Sequence, residues 1–244
     1  MRADEGVCFV EGIRQVVAAH EGGHAFEALL IDPQRLRSTV GWRSVTALRD
    51  AGTTVAELTG SEFDRISSRD NPAGIAAIVE WHPGEVASLP LTTTSLYLVT
   101  DEISDAGNLG TLIRTADSFG ASGVVIHGGV DPTHPGALRA SLGTAFHLPI
   151  ASVASLDVFF DWASRNEVTT IATSARATQQ VWDTSLTGRV ALLVGNEGEG
   201  LSEETIDRCG QTVLIPMSGT ATSLNVGVAA GVILYEATRQ RSTT

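Results

Sequence analysis

Short apolar runs that read as strands alternate with amphipathic segments along nearly the whole chain, and this alternation restricts the fold more than any other feature. Such alternation builds a sheet whose strands are connected by crossover helices. In the first eighty residues the pattern predicts strands at Val7–Val10, Phe26–Ile31, Thr54–Leu58 and Gly74–Glu80. Helices are predicted between them, from about Gly12 to His20 and over Val40–Ala51, with Trp42, Val45 and Leu48 on one face. A shorter helix begins where Ser61 caps it ahead of acidic Glu62 and Asp64, and ends before Asn71-Pro72. The expectation is a small, mostly parallel sheet covered by helices.

From His82 the texture changes to Pro83, Gly84, Pro90 and the run Thr92-Thr93-Thr94-Ser95. This reads as a linker over 83–94 between a first domain at 1–82 and a second at 95–244. The second domain repeats the alternation. Strands are predicted at Leu96–Thr100, Val124–His127, Val168–Ala172, Val190–Val194 and Thr212–Pro216. Helices are predicted near Leu109–Phe119, Ala137–Phe146, Leu156–Arg165, Ser202–Arg208 and Leu224–Arg239. An open α/β sheet of this kind binds ligands outside the carboxyl ends of its strands.

The 244 residues carry 16 basic and 28 acidic side chains, net −12, and every basic one is Arg. Bulk charge therefore argues against a protein that coats nucleic acid or an anionic membrane. It leaves room for a local arginine patch, and Arg is the better residue for forked phosphate contacts. Charge does not separate the halves, with 8 Arg against 13 acidic residues before Ser95 and 8 against 15 from there on. Two cysteines, Cys8 and Cys209, supply neither a disulfide framework nor a zinc site. The acidic start Met1-Arg-Ala-Asp-Glu5 has no apolar segment behind it and reads as no secretory leader. The longest apolar stretch, Leu224 to Tyr235, is broken by Asn225 and two glycines and is too short to cross a bilayer. A cytoplasmic protein without a membrane partner is expected.

His20-Glu21-Gly22-Gly23-His24 matches the zinc-protease pattern H-E-x-x-H. That chemistry needs both histidines one turn apart on a helix. Two central glycines oppose the helix by about 2 kcal/mol relative to alanine, and they fall where the first helix should end. The segment is read as a polar helix end and turn, and no metal site is expected.

Three segments of the second half place unusual residues at strand ends. In Asp105-Ala-Gly-Asn-Leu-Gly-Thr-Leu-Ile-Arg114, Asn108 is read in a glycine-rich turn, either as a helix cap or as a functional amide. Arg114 follows among Leu112, Ile113 and Ala116, which suggests a largely buried helix in which an arginine needs an anionic partner. In Gly195-Asn-Glu-Gly-Glu-Gly-Leu-Ser202, glycines let backbone approach a ligand closely, and Ser202 opens a helix with Glu203 and Glu204 in its first turn. The spacing G-x-x-G-x-G is not the dinucleotide fingerprint, which disfavours a nucleotide-cofactor oxidoreductase, and the glutamates suit a positively charged ligand better than a pyrophosphate. In the third segment Ser223 is read as the cap of the last helix. Asn225 just inside that helix suggests a hydrogen-bonding task, and Gly227, Ala229, Ala230 and Gly231 suggest close packing, such as on another subunit.

Together these segments resemble the three ordered motifs of the SpoU (TrmH) branch of the SPOUT methyltransferases: Asn108-Leu-Gly-Thr-Leu-Ile-Arg114-Thr-Ala116, Gly195-Asn-Glu-Gly-Glu-Gly200-Leu-Ser202, and Ile215-Pro-Met217 with Ser223-Leu-Asn225-Val. The first half, with Phe9-Val-Glu-Gly-Ile13 and Arg69-Asp-Asn-Pro72, looks like the ribosomal-protein-like substrate-binding domain that often precedes this catalytic domain. The resemblance implies transfer of a methyl group from S-adenosylmethionine to a ribose 2′-hydroxyl of RNA, with 23S ribosomal RNA the expected substrate. A tRNA ribose methyltransferase and a catalytically silent RNA-binding module of the same fold are the alternatives.

The resemblance further implies a parallel sheet tied in a trefoil knot by the segments around Gly195–Gly200 and Ile215–Leu224, and a homodimer with its active site near the interface. By position, Gly195, Asn196, Gly198, Ile215, Met217 and Leu224 would bind S-adenosylmethionine, while Asn108, Arg114, Glu197, Ser223 and Asn225 would be catalytic. Family accounts often make Arg114's counterpart a general base. Arginine stays charged at any ordinary pH, so stabilisation of the developing alkoxide and a grip on the adjacent phosphate is the role expected here. The family usually has Asp-Pro before the first motif, whereas Ala106 follows Asp105 here. Arg35, Arg37 and Arg43 in the first half and Arg139 and Arg176 in the second are the candidate RNA contacts.

Overall fold

The computed structural model describes residues 6–242; the acidic start lies outside the described residues. The chain divides into two units, one built from residues up to His82 together with 131–147, the other from 83–130 and 148 onward.

In the first unit, β1 (Val7–Glu11), α1 (Ile13–Glu21), β2 (Phe26–Ile31), α2 (Thr39–Asp50), β3 (Thr54–Glu57), α3 (Gly60–Ile66) and β4 (Ile75–Glu80) follow in order. The sheet order is β1-β4-β2-β3. Only β2 and β3 pair in parallel, and β4 runs antiparallel to both β1 and β2. The sheet is therefore mixed, not mostly parallel. The apolar run Ile75–Ala77 with Val79, all 0 % exposed, marks β4 as a central strand buried on both faces. Strand direction has no such signature. Ser61 is not the cap of α3. Thr59 is, in a capping box where its side chain accepts from the Glu62 amide and Glu62 reaches back to the Thr59 amide.

The second unit contains β5 (Leu96–Asp101), α4 (Ala106–Ser118) and β6 (Gly123–His127). The chain then visits the first unit through α5 (Pro135–Ser141). It returns for β7 (Ile150–Val153), α6 (Leu156–Arg165), β8 (Thr169–Thr173), β9 (Gln179–Gln180), β10 (Val190–Val194), α7 (Glu203–Arg208), β11 (Gln211–Leu214) and α8 (Val226–Arg241). The seven strands, ordered β7-β6-β5-β10-β8-β11-β9, are all parallel. The sequence pattern missed β7 and the two-residue β9. It also joined α5 to the turn at Thr144–Phe146, which Leu142 (φ 54°) and Gly143 (φ 97°) separate.

Tyr97, Val99, Val125, Phe159, Ala191 and Leu193 lie in the buried core of this unit. Val86 and Leu89, within the segment read as a linker, are buried in the same core. The Gly84 amide donates to the Ile150 carbonyl at 2.8 Å, so 83–94 folds as part of the second unit. No described helix is long and apolar enough to cross a membrane.

Candidate functional site

After β5 the chain builds the sheet outward through β6 and β7, then crosses to the other side of β5 for β8 and β10. The boundary between β5 and β10 is thus the point where strand order reverses, and in open parallel sheets a crevice opens there beyond the carboxyl ends. A cavity of about 880 Å³ occupies it. Its walls are the ends of β5 and β8, residues 194–203, and the segment before α8 with Ser223, Leu224 and Val226. Asp101, Glu102, Glu197, Glu199 and Glu203 face it against one arginine, Arg176. The exposed Arg176–Glu203 pair, 3.7 Å apart, does little to offset that sign. Such a cavity favours a ligand with cationic character over a polyphosphate. An adjoining apolar pocket of about 150 Å³ is lined by Ile215, Met217 and Leu224.

The loop after β10 is shaped by two residues. Gly195 has no room for a side chain, since a Cβ there would lie 2.3 Å from the carbonyl carbon and oxygen of Gly200. Asn196 pins the turn, donating from Nδ2 to the Glu102 carbonyl at 2.9 Å and accepting the Gly198 amide at 2.8 Å. Gly195, Asn196 and Gly198 all line the large cavity.

This turn presents Glu197 to the start of α4. One carboxylate oxygen accepts the Ser104 amide at 3.1 Å and its hydroxyl at 2.8 Å. The other accepts the Asp105 amide at 3.1 Å and Asn108 Nδ2 at 2.9 Å. Asn108 Oδ1 in turn accepts Asn225 Nδ2 at 3.0 Å, and Asn225 Oδ1 caps α8 by accepting the Gly227 and Val228 amides. The carboxylate thereby orients both amides along one chain of bonds. Burial raises the pKa of Glu197, but hydrogen bonds from Asn108 and from the Ser104 amide and hydroxyl lower it more, to about 2 from 4.5. A carboxyl depressed in this way adds stability above its unfolded value, lost as pH falls through its folded one. The melting temperature of Glu197→Ala is therefore expected to fall short of wild type at pH 7, with the gap shrinking below about pH 4.5 and closing near pH 2. A gap constant across that range would deny the carboxylate its part.

Three of the five residues expected to be catalytic are thus hydrogen-bonded together, and Ser223 lines the cavity beside them. Arg114 is not gathered in. Leu112, Ile113 and Ala116 are buried as expected, but Arg114 points to the exposed side of α4 and has no ion-pair partner among the described residues. Neighbours in sequence occupy different faces of a helix, so a buried helix need not bury each of its residues. Two cap assignments also change. Asp105, not Asn108, caps α4, accepting the Asn108 amide at 2.8 Å, and Asn225, not Ser223, caps α8. With Ala106 in the first helical position, the missing proline leaves the cap intact. Ser104 was not singled out from the sequence; Asp105 three residues before Asn108 was the available cap signal.

Gly227 and Gly231 turn toward Thr111 and Thr115 of α4, so the small-residue stripe serves packing within the chain. His20 lies in the last turn of α1, which Gly22 ends, and His24 bonds the Phe146 carbonyl at 3.0 Å. Donor atoms of Asp101, Glu102 and His127 lie within 4.8 Å of one another. His127 Nδ1 is engaged with Asp101 at 2.7 Å and Glu102 takes the Gly129 amide, so these groups are already used in holding the strand ends. Of the arginines considered for RNA, Arg35 is tied to Asp32 and Asp64, Arg139 folds with the first unit and donates to Ser68 Oγ at 2.6 Å, and Arg37 and Arg43 are exposed without ion-pair partners among the described residues.

Residues 95–235 match the SpoU rRNA Methylase family, and residues 1–77 match the MRM3-like substrate binding domain. A 23S rRNA (uridine(2479)-2′-O)-methyltransferase of Streptomyces viridochromogenes is 33% identical over 98% of this chain and 85% of its own length. The SpoU methyltransferase AviRb of the same organism, solved in complex with AdoMet, superposes with a TM-score of 0.91 at 32% identity, covering 99% of this chain and 93% of that one. An AdoMet-bound rRNA methyltransferase from Sinorhizobium meliloti gives 0.87 at 31% identity, covering 97% and 88%.

Proposed function

Since the chain belongs to the SpoU rRNA methylase family, we propose that it transfers the methyl group of S-adenosylmethionine to a ribose 2′-hydroxyl of 23S ribosomal RNA. The observation that carries this reading is the hydrogen-bonded run Glu197–Asn108–Asn225 at the mouth of the acidic cavity. The donor set fits the cofactor: glycine-rich backbone at 195–200 for close approach, the apolar surface of Ile215, Met217 and Leu224 for a flat ring, and carboxylates suited to a sulfonium. When bound, the cofactor supplies an electrophilic methyl group. Asn225, held through Asn108 by Glu197, and Ser223 orient the ribose hydroxyl toward the cavity. Arg114 stabilises the negative charge that develops on that oxygen and contacts the neighbouring phosphate.

The finer features of this reading follow from the same family. The second unit holds a trefoil knot, a reading supported by the return of 215–225 to the cavity that residues 194–203 line. The first unit binds the RNA, with Arg37 and Arg43 as contacts, and the second unit carries the chemistry. The protein works in the cytoplasm as a homodimer. Val228, Val232 and Tyr235, exposed on one face of α8, support a dimer surface, distinct from the glycine face that meets α4.

The test is incubation with methyl-labelled S-adenosylmethionine and, separately, ribosomal and transfer RNA, followed by nucleoside analysis. Label on a ribose 2′-oxygen of large-subunit RNA is expected. Label on transfer RNA alone would replace the substrate, and cofactor binding without label on either RNA would leave a silent module.

A further inference from the structure

The first unit contains a pocket that the methyl-transfer site does not use. It measures about 140 Å³ and lies between the end of β1, the end of α3 and α5. At about 30 Å³ per water it holds a group of four or five water volumes, the scale of a single planar ring. Phe9, Ile66 and Leu138 give it apolar walls, and Ile66 is left 37 % exposed.

One end of the pocket is polar and incompletely bonded. Gln15, which lines it, is 2 % exposed, yet its amide makes a single 3.4 Å bond, from Nε2 to the Arg139 carbonyl. No bond to its Oε1 is seen among the described residues, which leaves that oxygen free to accept from a ligand. Beside it Arg139 donates to Ser68 Oγ with one nitrogen, and Ser68 is held in turn by the Glu11 carboxylate. The guanidinium is fixed in place with donors to spare. Arg69 adds a second unsatisfied group: its Nε is buried without an acceptor, and its Nη2 and Gln15 Oε1 approach Gly12 together, at 3.4 and 3.3 Å from where a Cβ would stand. Gln15 and Arg139 thus bring an acceptor and a donor with unused capacity to one apolar-walled slot, which describes a site for a ring with an N–H and a carbonyl on one edge.

We propose that this pocket receives one unpaired nucleobase of the RNA substrate, with a lactam edge as in uracil or guanine. Gln15 Oε1 accepts the ring N–H, Arg139 donates to the carbonyl, and Phe9 contacts the ring. Specific RNA recognition works mostly in this way, on splayed single-stranded bases read along their edges against aromatic surfaces. The inference rests on the reading of this protein as an RNA methyltransferase, and it assigns the first unit a base-specific contact where the arginines offer only charge. A Glu11 carboxylate at the rim would repel a phosphate, which favours a base over the backbone.

The test uses the full-length protein and fluorescent octamers of uridylate and of adenylate. Octauridylate is expected to bind more tightly than octaadenylate. Gln15→Leu, which keeps the bulk and removes the amide, and Arg139→Ala, at an exposed residue, should each erase that preference, with a loss of about tenfold or more for octauridylate. S-adenosylmethionine affinity should be unchanged in both variants, which checks that they are folded. Irradiation of 4-thiouridine-substituted ribosomal RNA with the protein should give crosslinks within residues 9–15, 66–69 or 135–139. Equal affinity for the two octamers in the wild type, or unchanged preference in Arg139→Ala, overturns the pocket assignment even if ribosomal RNA is methylated. Loss of uridylate preference in the variants of a protein that methylates no RNA would uphold the pocket and reject the enzymatic reading.

Discussion

Replacing Gly195 by alanine is expected to weaken S-adenosylmethionine binding by about ten- to 100-fold and to lower the melting temperature. The added methyl would stand 2.3 Å from the carbonyl carbon and oxygen of Gly200 and 2.4 Å from the Leu201 amide nitrogen. All three are backbone atoms, so no rotamer change relieves the clash. Overpacking costs about 1–3 kcal/mol even where side chains can adjust, and each 1.4 kcal/mol is tenfold in an equilibrium. Relief must come from moving 196–201, which carries the Asn196 turn and the Glu197 carboxylate that holds Asn108. Gly198→Ala is the control: its new methyl would meet only Asn196 Oδ1 at an ordinary 3.5 Å. Melting temperatures should therefore separate the two glycines, with Gly198→Ala near wild type, while calorimetric titration reads the loss of cofactor affinity in Gly195→Ala. Wild-type affinity in Gly195→Ala would mean that the loop is not packed against itself in solution.

That contrast shows what was readable from sequence. A strand running into glycines at 195, 198 and 200 marked the loop, and the position of such loops at the carboxyl ends of parallel strands follows from the fold class. The reason for each glycine did not follow: Gly195 lets the turn close on its own far end at Gly200, whereas Gly198 meets no backbone. Short-range chemistry was legible wherever one residue type has one use, as with Ser202 capping α7. It stayed open where two suitable residues stand close, as with Asn108 beside Asp105 and Ser223 beside Asn225, because a cap is chosen by backbone geometry that the sequence does not spell out.

Long-range pairing was the other loss. The apolar run of β4 announced burial but not direction, and nothing local told that α5 leaves its flanking strands to fold with the first unit. Gly227 and Gly231 announced a close approach correctly, but its partner, α4 with the matching Thr111 and Thr115, lies 116 residues earlier in the chain. The hydrogen bonds Glu197–Asn108–Asn225 have the same character. Each residue was visible in its own motif, but their union depends on the loops after β5 and β10 meeting the start of α8.

Arg114→Ala is expected to slow methyl transfer by about 10²–10³-fold while leaving cofactor affinity and thermal stability near wild type. The exposure of Arg114 and its lack of an ion-pair partner among the described residues argue that it supports neither the fold nor the cofactor cavity, which it does not line. A surface arginine of that kind costs within about 0.5 kcal/mol to remove. Its charge becomes useful only when RNA arrives, where one guanidinium can face both the reacting oxygen and a phosphate. Arg114→Lys separates those tasks, because lysine keeps the charge and loses the fork, so a rate between those of wild type and alanine is expected. The pH dependence provides the remaining discrimination. A guanidinium that stays cationic throughout gives Arg114→Lys and wild type the same profile shape, with only the height changed, whereas a residue acting as general base would shift the ascending limb when replaced. Single-turnover rates at saturating RNA, measured from pH 6 to 9 for the three proteins, make the comparison. An Arg114→Ala rate equal to wild type would remove the residue from the reaction and leave Asn225 and Ser223 to act without a charged partner.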